Sequence, residues 1–390
     1  MLASPLLNGT AFPQRSKQLQ RLASRFVRRA LPLLDRASAA FSADIPLLEA
    51  SLGRIDRTLS LRHVRARVVS VRAETHDVNT YVLRPNARFG SFRPGAYVTL
   101  HLDIDGRKVD RAYSLSSAPS EDGLISITVK RVPGGLVSNY LADQLKRGAV
   151  LDLSVPMGQF LLPAAVPEQL LLISAGSGIT PVMSMLRHLL ATGTASEITF
   201  LHFARTPNDV IFADELESIR ARHPQVRIAV CVERADASWT GPRGLFDAAF
   251  LDTHAPSFRA SETYLCGPAG FMKAVMQTLE GSAADLGKLH YERFSLDFDV
   301  SAFLGQTQLV RFVRTGVESL STGPRTILEQ AEAHGVRVES SCRIGVCGTC
   351  RCTKRKGVVV DVTTGEASAD GEGFFYPCIS VARGAVEVVL

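Results

Sequence analysis

Three cysteines fall within nine residues of this chain: Cys342, Cys347 and Cys350 in ESSCRIGVCGTC, with Cys378 further on in YPCIS. Thiolates are soft metal ligands, and C-x4-C-x2-C with a distant fourth cysteine is the plant-type spacing for a [2Fe–2S] cluster. Gly345, Gly348 and the small Ser340, Ser341 and Thr349 let such a loop wrap closely. Backbone N–H groups turned toward the sulfurs would stabilise a reduced, more negative cluster. Zinc is the rival occupant, but its sites usually pair cysteines twice as C-x2-4-C, and Cys378 has no such mate. Cys352 reads as a strand side chain.

Further residues could handle the electrons such a cluster carries. In RAYSLSSAP, Arg111 and Tyr113 are two apart and share a strand face, one able to grip a diphosphate and the other to lie on a flat heteroaromatic. KRVPGGLVSNYL places Gly134 and Gly135 before a helix with Ser138 in its first turn, a setting for an anion at a helix N-terminus. LLLISAGSGITPVMSML is a strand, a Gly176-Ser177-Gly178 turn and a helix, which presents N–H groups to a pyrophosphate. It departs from G-x-G-x-x-G because Pro181 takes the third glycine's place, a position Pro tolerates in a first helical turn. Arg205 follows a strand where a ribose 2′-phosphate would bind, so NADP is preferred over NAD, although an ordinary surface Arg fits as well. TYLCGPAGFM puts Cys266 and Gly267 at a strand's C-terminal end, the binding edge of a parallel sheet. Cys231 in RIAVCVE reads as a small buried hydrophobe.

The elements that must position these residues follow from pattern. At 390 residues two or three domains are expected, and 46% hydrophobic with 21% charged residues is ordinary for a globular protein. A net charge of +6 and the lack of zinc-finger or aromatic-basic patterns argue against nucleic acid. No apolar run is long enough to span a bilayer. Seven cysteines, four clustered late, argue against a disulfide framework, and the start lacks a secretory pattern, so a cytoplasmic protein is expected. Residues 1–58 form a basic extension. Between 15 and 34 its apolar residues recur near helical spacing among arginines, as in a helix that packs on the body, docks a partner, or touches the inner face of a membrane. An organelle transit peptide is a further reading. Short strands with Gly, Pro and Asn turns predict an antiparallel barrel over 59–165. Strands alternating with helices, opening on the apolar run QLLLISA, predict a parallel α/β domain over 166–292. A linker at 293–305 and a cysteine-bearing unit at 306–390 complete the chain.

The order of RAYSLSS, GGLVSNYL, GSGITP, CGPAGFM and the cysteine set resembles the ferredoxin–NADP reductase superfamily with a C-terminal ferredoxin domain, as in oxygenase reductases. The likeness covers about Leu61 to Leu390. It implies a flavin barrel, an α/β NAD(P) domain and an α+β β-grasp ferredoxin domain. It further implies FAD, a [2Fe–2S] cluster held by Cys342, Cys347, Cys350 and Cys378, and NADP or NAD, with FMN in place of FAD still open. Arg111, Tyr113 and Ser114 would hold the flavin, and Gly135 and Ser138 its phosphates. Gly176, Gly178, Thr180 and Pro181 would form the NAD(P) pyrophosphate turn, with Cys266 and Gly267 beside the nicotinamide and Arg205 near the adenosine ribose. Glu292 and Phe294 in HYERF would approach the flavin, and Ser114, Cys266 and Glu292 would be the catalytic group. The expected activity is electron transfer from NAD(P)H to a redox partner protein. That partner is an oxygenase or, because the long basic leader resembles those of desaturase partners, a membrane di-iron fatty acyl desaturase. The alternative is a stand-alone oxidoreductase with a small-molecule acceptor.

Overall fold

Alternating side chains in the first strands decide which way the chain curls. In β1 (Val64–Thr75), Val64, Ala66 and Val68 turn inward between Arg65 and Arg67. β2 (Val78–Pro85), β3 (Tyr97–Ile104), β4 (Arg107–Ser114), β5 (Ile125–Lys130) and β6 (Val150–Leu153) follow; the alternation returns in the second half of β3, whereas β5 is buried from Ile125 to Val129. The computed structural model describes residues 45–294, 307–323, 325–345 and 347–390. The basic stretch at 15–34 and most of the expected linker lie outside the described residues.

The six strands pair antiparallel in the order β4-β3-β6-β1-β2-β5. A Leu115–Ile127 bridge and the Ser116 N–H to Ser126 C=O bond (2.8 Å) join the two ends, giving the expected barrel. Its interior holds Tyr81, Leu83, Val98, Leu100, Ile127 and Leu153. β6, which sequence pattern did not single out, is four residues long with only two of them buried, so its alternation is too brief to register. A first helix, α1 (Ile45–Ile55), is pinned to the barrel where Leu61 N–H donates to Glu49 Oε2 at 2.8 Å. Helix α2 (Leu136–Gln144) caps one end of the barrel with Val137 and Leu141.

The second sheet is wholly parallel, in the order β11-β10-β7-β8-β9. Its strands are β7 (Gln169–Ala175), β8 (Glu197–Ala204), β9 (Val226–Val232), β10 (Glu262–Cys266) and β11 (Leu289–Glu292). Helices α3 (Ile179–Thr192), α4 (Ala213–Arg222), α5 (Ala248–His254) and α6 (Ala269–Gly281) connect them. β7 is buried from Leu170 to Ala175 because it is covered twice. Leu170 and Leu172 join the core beneath α3, and Leu171, Ile173 and Ala175 join the core on the opposite face.

The third sheet is mixed, in the order β13-β12-β16-β14-β15, with β12 and β16 parallel. Its strands are β12 (Gln308–Phe312), β13 (Val317–Ser321), β14 (Cys352–Asp361), β15 (Gly373–Phe375) and β16 (Ser380–Val388). One helix, α7 (Ile327–Ala333), packs Ile327 and Ala331 on Val310 and Phe312. Thr326 and Glu329 close its N-terminus as a reciprocal capping box. This is the α+β unit expected from the sequence, and the cysteine loop lies between α7 and β14.

Core burial in the central strand β7 sets a stability expectation. Leu172→Ala, at a fully buried position, should cost about 2–5 kcal/mol in urea unfolding followed by circular dichroism. Leu245→Ala, at an exposed position, should stay within about 0.5 kcal/mol of the parent. Equal midpoints for the two variants would contradict this placement of the core.

Candidate functional site

The ends of β4 and β5, the glycine turn before α2, the turn before α3, the end of β11 and the cysteine loop surround one cavity of about 400 Å³. Arg111, Tyr113, Ser114, Gly135, Ser138, Thr180, Glu292 and Phe294 all line it, together with Ser177 and Cys342. Residues that are far apart in sequence, from the barrel, the parallel-sheet unit and the cysteine loop, thus share one wall.

β4 delivers Arg111 and Tyr113 to the same side, as their spacing requires. Burial pushes the Tyr113 hydroxyl up to about 12, with Arg111 pulling the other way, so the ring stays neutral and presents an uncharged face. Ser114 Oγ donates to Glu292 Oε2 at 3.3 Å. Glu292 ends β11 in register with Cys266 at the end of β10, so these two residues and Ser114 meet where barrel and parallel sheet touch. Burial raises the Glu292 carboxyl to about 7, opposed by the Ser114 hydrogen bond. Burial, then the charge of Glu292, raises the Cys266 thiol, which is fully enclosed behind the cavity wall.

Two turns supply the anion-binding amides. In the first, Gly134 adopts a positive φ of 70°, and the Gly135 N–H is engaged by Val132 C=O at 2.9 Å. Ser138 Oγ accepts from Val132 N–H at 3.1 Å, which leaves its own O–H proton and the first-turn amides of α2 for an anion. In the second, Gly176–Gly178 coil as a single 3-10 turn directly into α3, and Thr180 Oγ1 donates to Ser177 C=O at 3.0 Å. A Cβ on Gly178 would lie 2.2 Å from Cys266 C=O, so only glycine lets the turn press against the end of β10. Gly176, Pro181 and Gly267 frame this turn, with Pro181 buried in the first turn of α3. Arg205 sits apart from the cavity, at the C-terminal end of β8, where it pairs with Asp209 at 3.7 Å.

The cysteine sulfurs gather as two pairs. Cys347 N–H points at Cys342 Sγ at 3.3 Å, and Cys350 and Cys378 Sγ lie 3.2 Å apart. Hydrogen bonding within each pair pulls Cys347 down to about 4 and Cys350 to about 7, while Cys342 and Cys378 are raised. Gly345 has a φ of 83°, and a Cβ there would meet Ile379 at 2.6 Å, so the loop is held tightly against the Cys378 turn. Two close sulfur pairs, each already disposed to carry thiolate charge, are the donor set that a two-iron cluster requires. A second cavity of about 790 Å³ runs alongside, lined by Tyr97, Phe160, Tyr291, Cys347 and Tyr376.

Some contributors were not singled out by sequence. Tyr97 lines both cavities, and burial raises its hydroxyl to about 12, helped by negative charge at Cys342 and Cys347. Ser184 and Arg187 on α3 donate to the carbonyls of Ser117 and Ser116, just past β4, and Arg187 also forks onto Glu215 of α4 at 2.8 and 2.5 Å. Thr99 Oγ1 and Ser341 Oγ meet at 2.9 Å between the barrel and the cysteine loop. A strand's outward polar residues carry no sign in the sequence of what will cover them.

Known proteins share this arrangement. Models for an oxidoreductase FAD-binding domain, an oxidoreductase NAD-binding domain and a 2Fe-2S iron–sulfur cluster binding domain match residues 65–161, 172–277 and 314–383. The chain is 35% identical over 352 residues to the glycine betaine monooxygenase reductase subunit of Chromohalobacter salexigens, covering 84% of this chain and 95% of that protein. It is 34% identical over 329 residues to an NADPH oxidoreductase of Mycobacterium tuberculosis, covering 83% and 84%. Phthalate dioxygenase reductase, solved as a modular structure for electron transfer from pyridine nucleotides to [2Fe–2S], superposes with a TM-score of 0.59 at 27% identity, covering 84% of this chain and 98% of that one.

The raised Glu292 carboxyl has a measurable consequence. A folded-state value of about 7 against an ordinary 4.5 means that folding favours the protonated form. Its contribution is fully present below about pH 4.5 and is lost as pH rises through about 7. The urea midpoint of Glu292→Gln should therefore gain on that of the parent between those pH values. A constant difference across that window would refute the shift.

Proposed function

Since this chain belongs to the ferredoxin–NADP reductase superfamily and carries a C-terminal [2Fe–2S] domain, we propose that it takes hydride from NAD(P)H and delivers single electrons to a separate oxygenase component. The observation that carries this reading is the shared cavity, where the Arg111–Ser114 strand end, the Ser177–Thr180 turn and Cys342 face one another. Bound FAD would link the two halves of the reaction, accepting a hydride and giving electrons up singly to the cluster.

The chain's own residues would bind and orient. Arg111 would grip a flavin phosphate and the neutral ring of Tyr113 would back the flat heteroaromatic. The amides and Ser138 hydroxyl at the start of α2 would take up further phosphate charge. The turn from Gly176 to Pro181 would seat the nicotinamide pyrophosphate, so that Thr180, Ser114 and Phe294 would border the ring, with Cys266 and Gly267 behind the cavity wall. Glu292 would hold or release a proton near neutral pH and fix the Ser114 hydroxyl. Arg205 would meet the ribose 2′-phosphate of NADP after yielding its contact with Asp209. Cys342 with Cys347, and Cys350 with Cys378, would each ligate one iron.

An oxygenase acceptor is supported by the names of the relatives, among them the reductase components of glycine betaine and 3-ketosteroid-9-alpha monooxygenases. A membrane desaturase is the second reading, favoured by the basic run at 15–34. Among the described residues no helix is long and apolar enough to cross a membrane.

Anaerobic addition of NADPH to the purified chain should bleach flavin and cluster absorbance together. In Cys347→Ser the flavin bands should still bleach, while reduction of a one-electron protein acceptor such as cytochrome c is lost. A colourless protein after cofactor reconstitution would sink the reading. For the acceptor class, deleting residues 1–44 should abolish sedimentation with phosphatidylglycerol vesicles if a membrane partner is correct. Equal sedimentation of the two forms would remove the desaturase reading.

A further inference from the structure

Along the outer face of β3, exposure changes abruptly. His101 leaves 46% of its side chain exposed, whereas Thr99 and Tyr97, its neighbours on the same face, are 2% and 7% exposed. Over Thr99 lies the cysteine loop, and against Tyr97 the Met157–Gly158 segment also packs. Thr99 Oγ1 lies 2.9 Å from Ser341 Oγ, and Ser341, itself 5% exposed, immediately precedes Cys342. Thr99 is a fixed point in the barrel. Its N–H donates to Ser154 Oγ at 2.9 Å, and its C=O accepts from Ser154 N–H at 2.9 Å. Two residues earlier on that face, Tyr97 borders both cavities, between the flavin side and Cys347.

We propose that Thr99 is a positioning residue for electron transfer, its hydroxyl latching the cysteine loop through Ser341 so that Cys342 stays at the wall of the flavin cavity. The latch touches neither the reacting atoms nor a cysteine, and it acts by fixing where the loop sits. A buried hydroxyl that loses its partner retains its desolvation cost, so removing one side weakens the docked arrangement more than an exposed bond would. The proposal rests on the electron route given above.

The test uses the full chain with its cofactors, as Thr99→Val, Thr99→Ser and Ser341→Ala. In stopped-flow with NADPH, flavin reduction should keep the parent rate in all three. Cluster reduction should slow about threefold to tenfold in Thr99→Val and Ser341→Ala, as expected for one lost buried hydrogen bond, and recover in Thr99→Ser. Hydrogen–deuterium exchange on the same proteins gives a readout independent of turnover. Amides of 339–345 should exchange faster by a similar factor in Thr99→Val, while those of β12 stay as in the parent. Parent-like cluster reduction and exchange in Thr99→Val would overturn the latch. Faster exchange throughout the third sheet, unrescued by Thr99→Ser, would also overturn it, as general destabilisation. A parent protein whose flavin bleaches while its cluster stays oxidised would fail differently, overturning the electron route and the positioning role with it.

Discussion

The fork of Arg187 fixes how the parallel sheet meets the barrel. Its guanidinium lies over the Phe212 ring at 4.6 Å, binds both carboxylate oxygens of Glu215, and reaches the carbonyl of Ser116 across the interface. One turn earlier on α3, Ser184 holds the next carbonyl at 2.6 Å. The same helix begins at the Gly176–Gly178 turn, and the same strand end carries Arg111, Tyr113 and Ser114. Joining these two segments brings a pyrophosphate turn and a flavin wall to a common edge. A planar, multidentate cation suits this task because it satisfies several acceptors from a single pre-shaped group.

A related economy governs the cavity. Glu292 comes from the last strand of the parallel sheet, yet its carboxylate is bonded by a serine of the barrel. Cys266, its neighbour in register, is pressed by the close approach of Gly178. Partial removal from water keeps the carboxyl protonated to higher pH and the thiol neutral. The cysteine loop uses the opposite logic. There, hydrogen bonds between the paired sulfurs favour thiolate on Cys347 and on Cys350.

Much of this was legible in the sequence. The double burial of QLLLISA, the glycine turns at 134–135 and 176–178 and the C-x4-C-x2-C spacing each impose a local geometry, and the structure contains those geometries. Arg111, Tyr113, Ser114, Ser138, Thr180, Glu292 and Phe294, which the motifs and the family resemblance singled out, line one cavity. What sequence left unread is contact across sheets. Arg187, Thr99 and Tyr97 sit in unremarkable amphipathic or alternating patterns, and their meaning depends on which surface another part of the chain brings to them. β6 escaped for a different reason, being too short for periodicity to show.

The 2.9 Å contact between Thr99 and Ser341 joins two parts of one continuous chain, and that continuity changes what so small a contact can do. Between separate proteins one hydroxyl pair could not offset the loss of translational freedom. Within a tethered chain the partner surface is present at an effective concentration that reaches roughly millimolar for short flexible linkers, so weak local bonds can populate a docked state. Fusion thus replaces interface area with proximity. A few polar atoms can then help to seat the cysteine loop against the barrel.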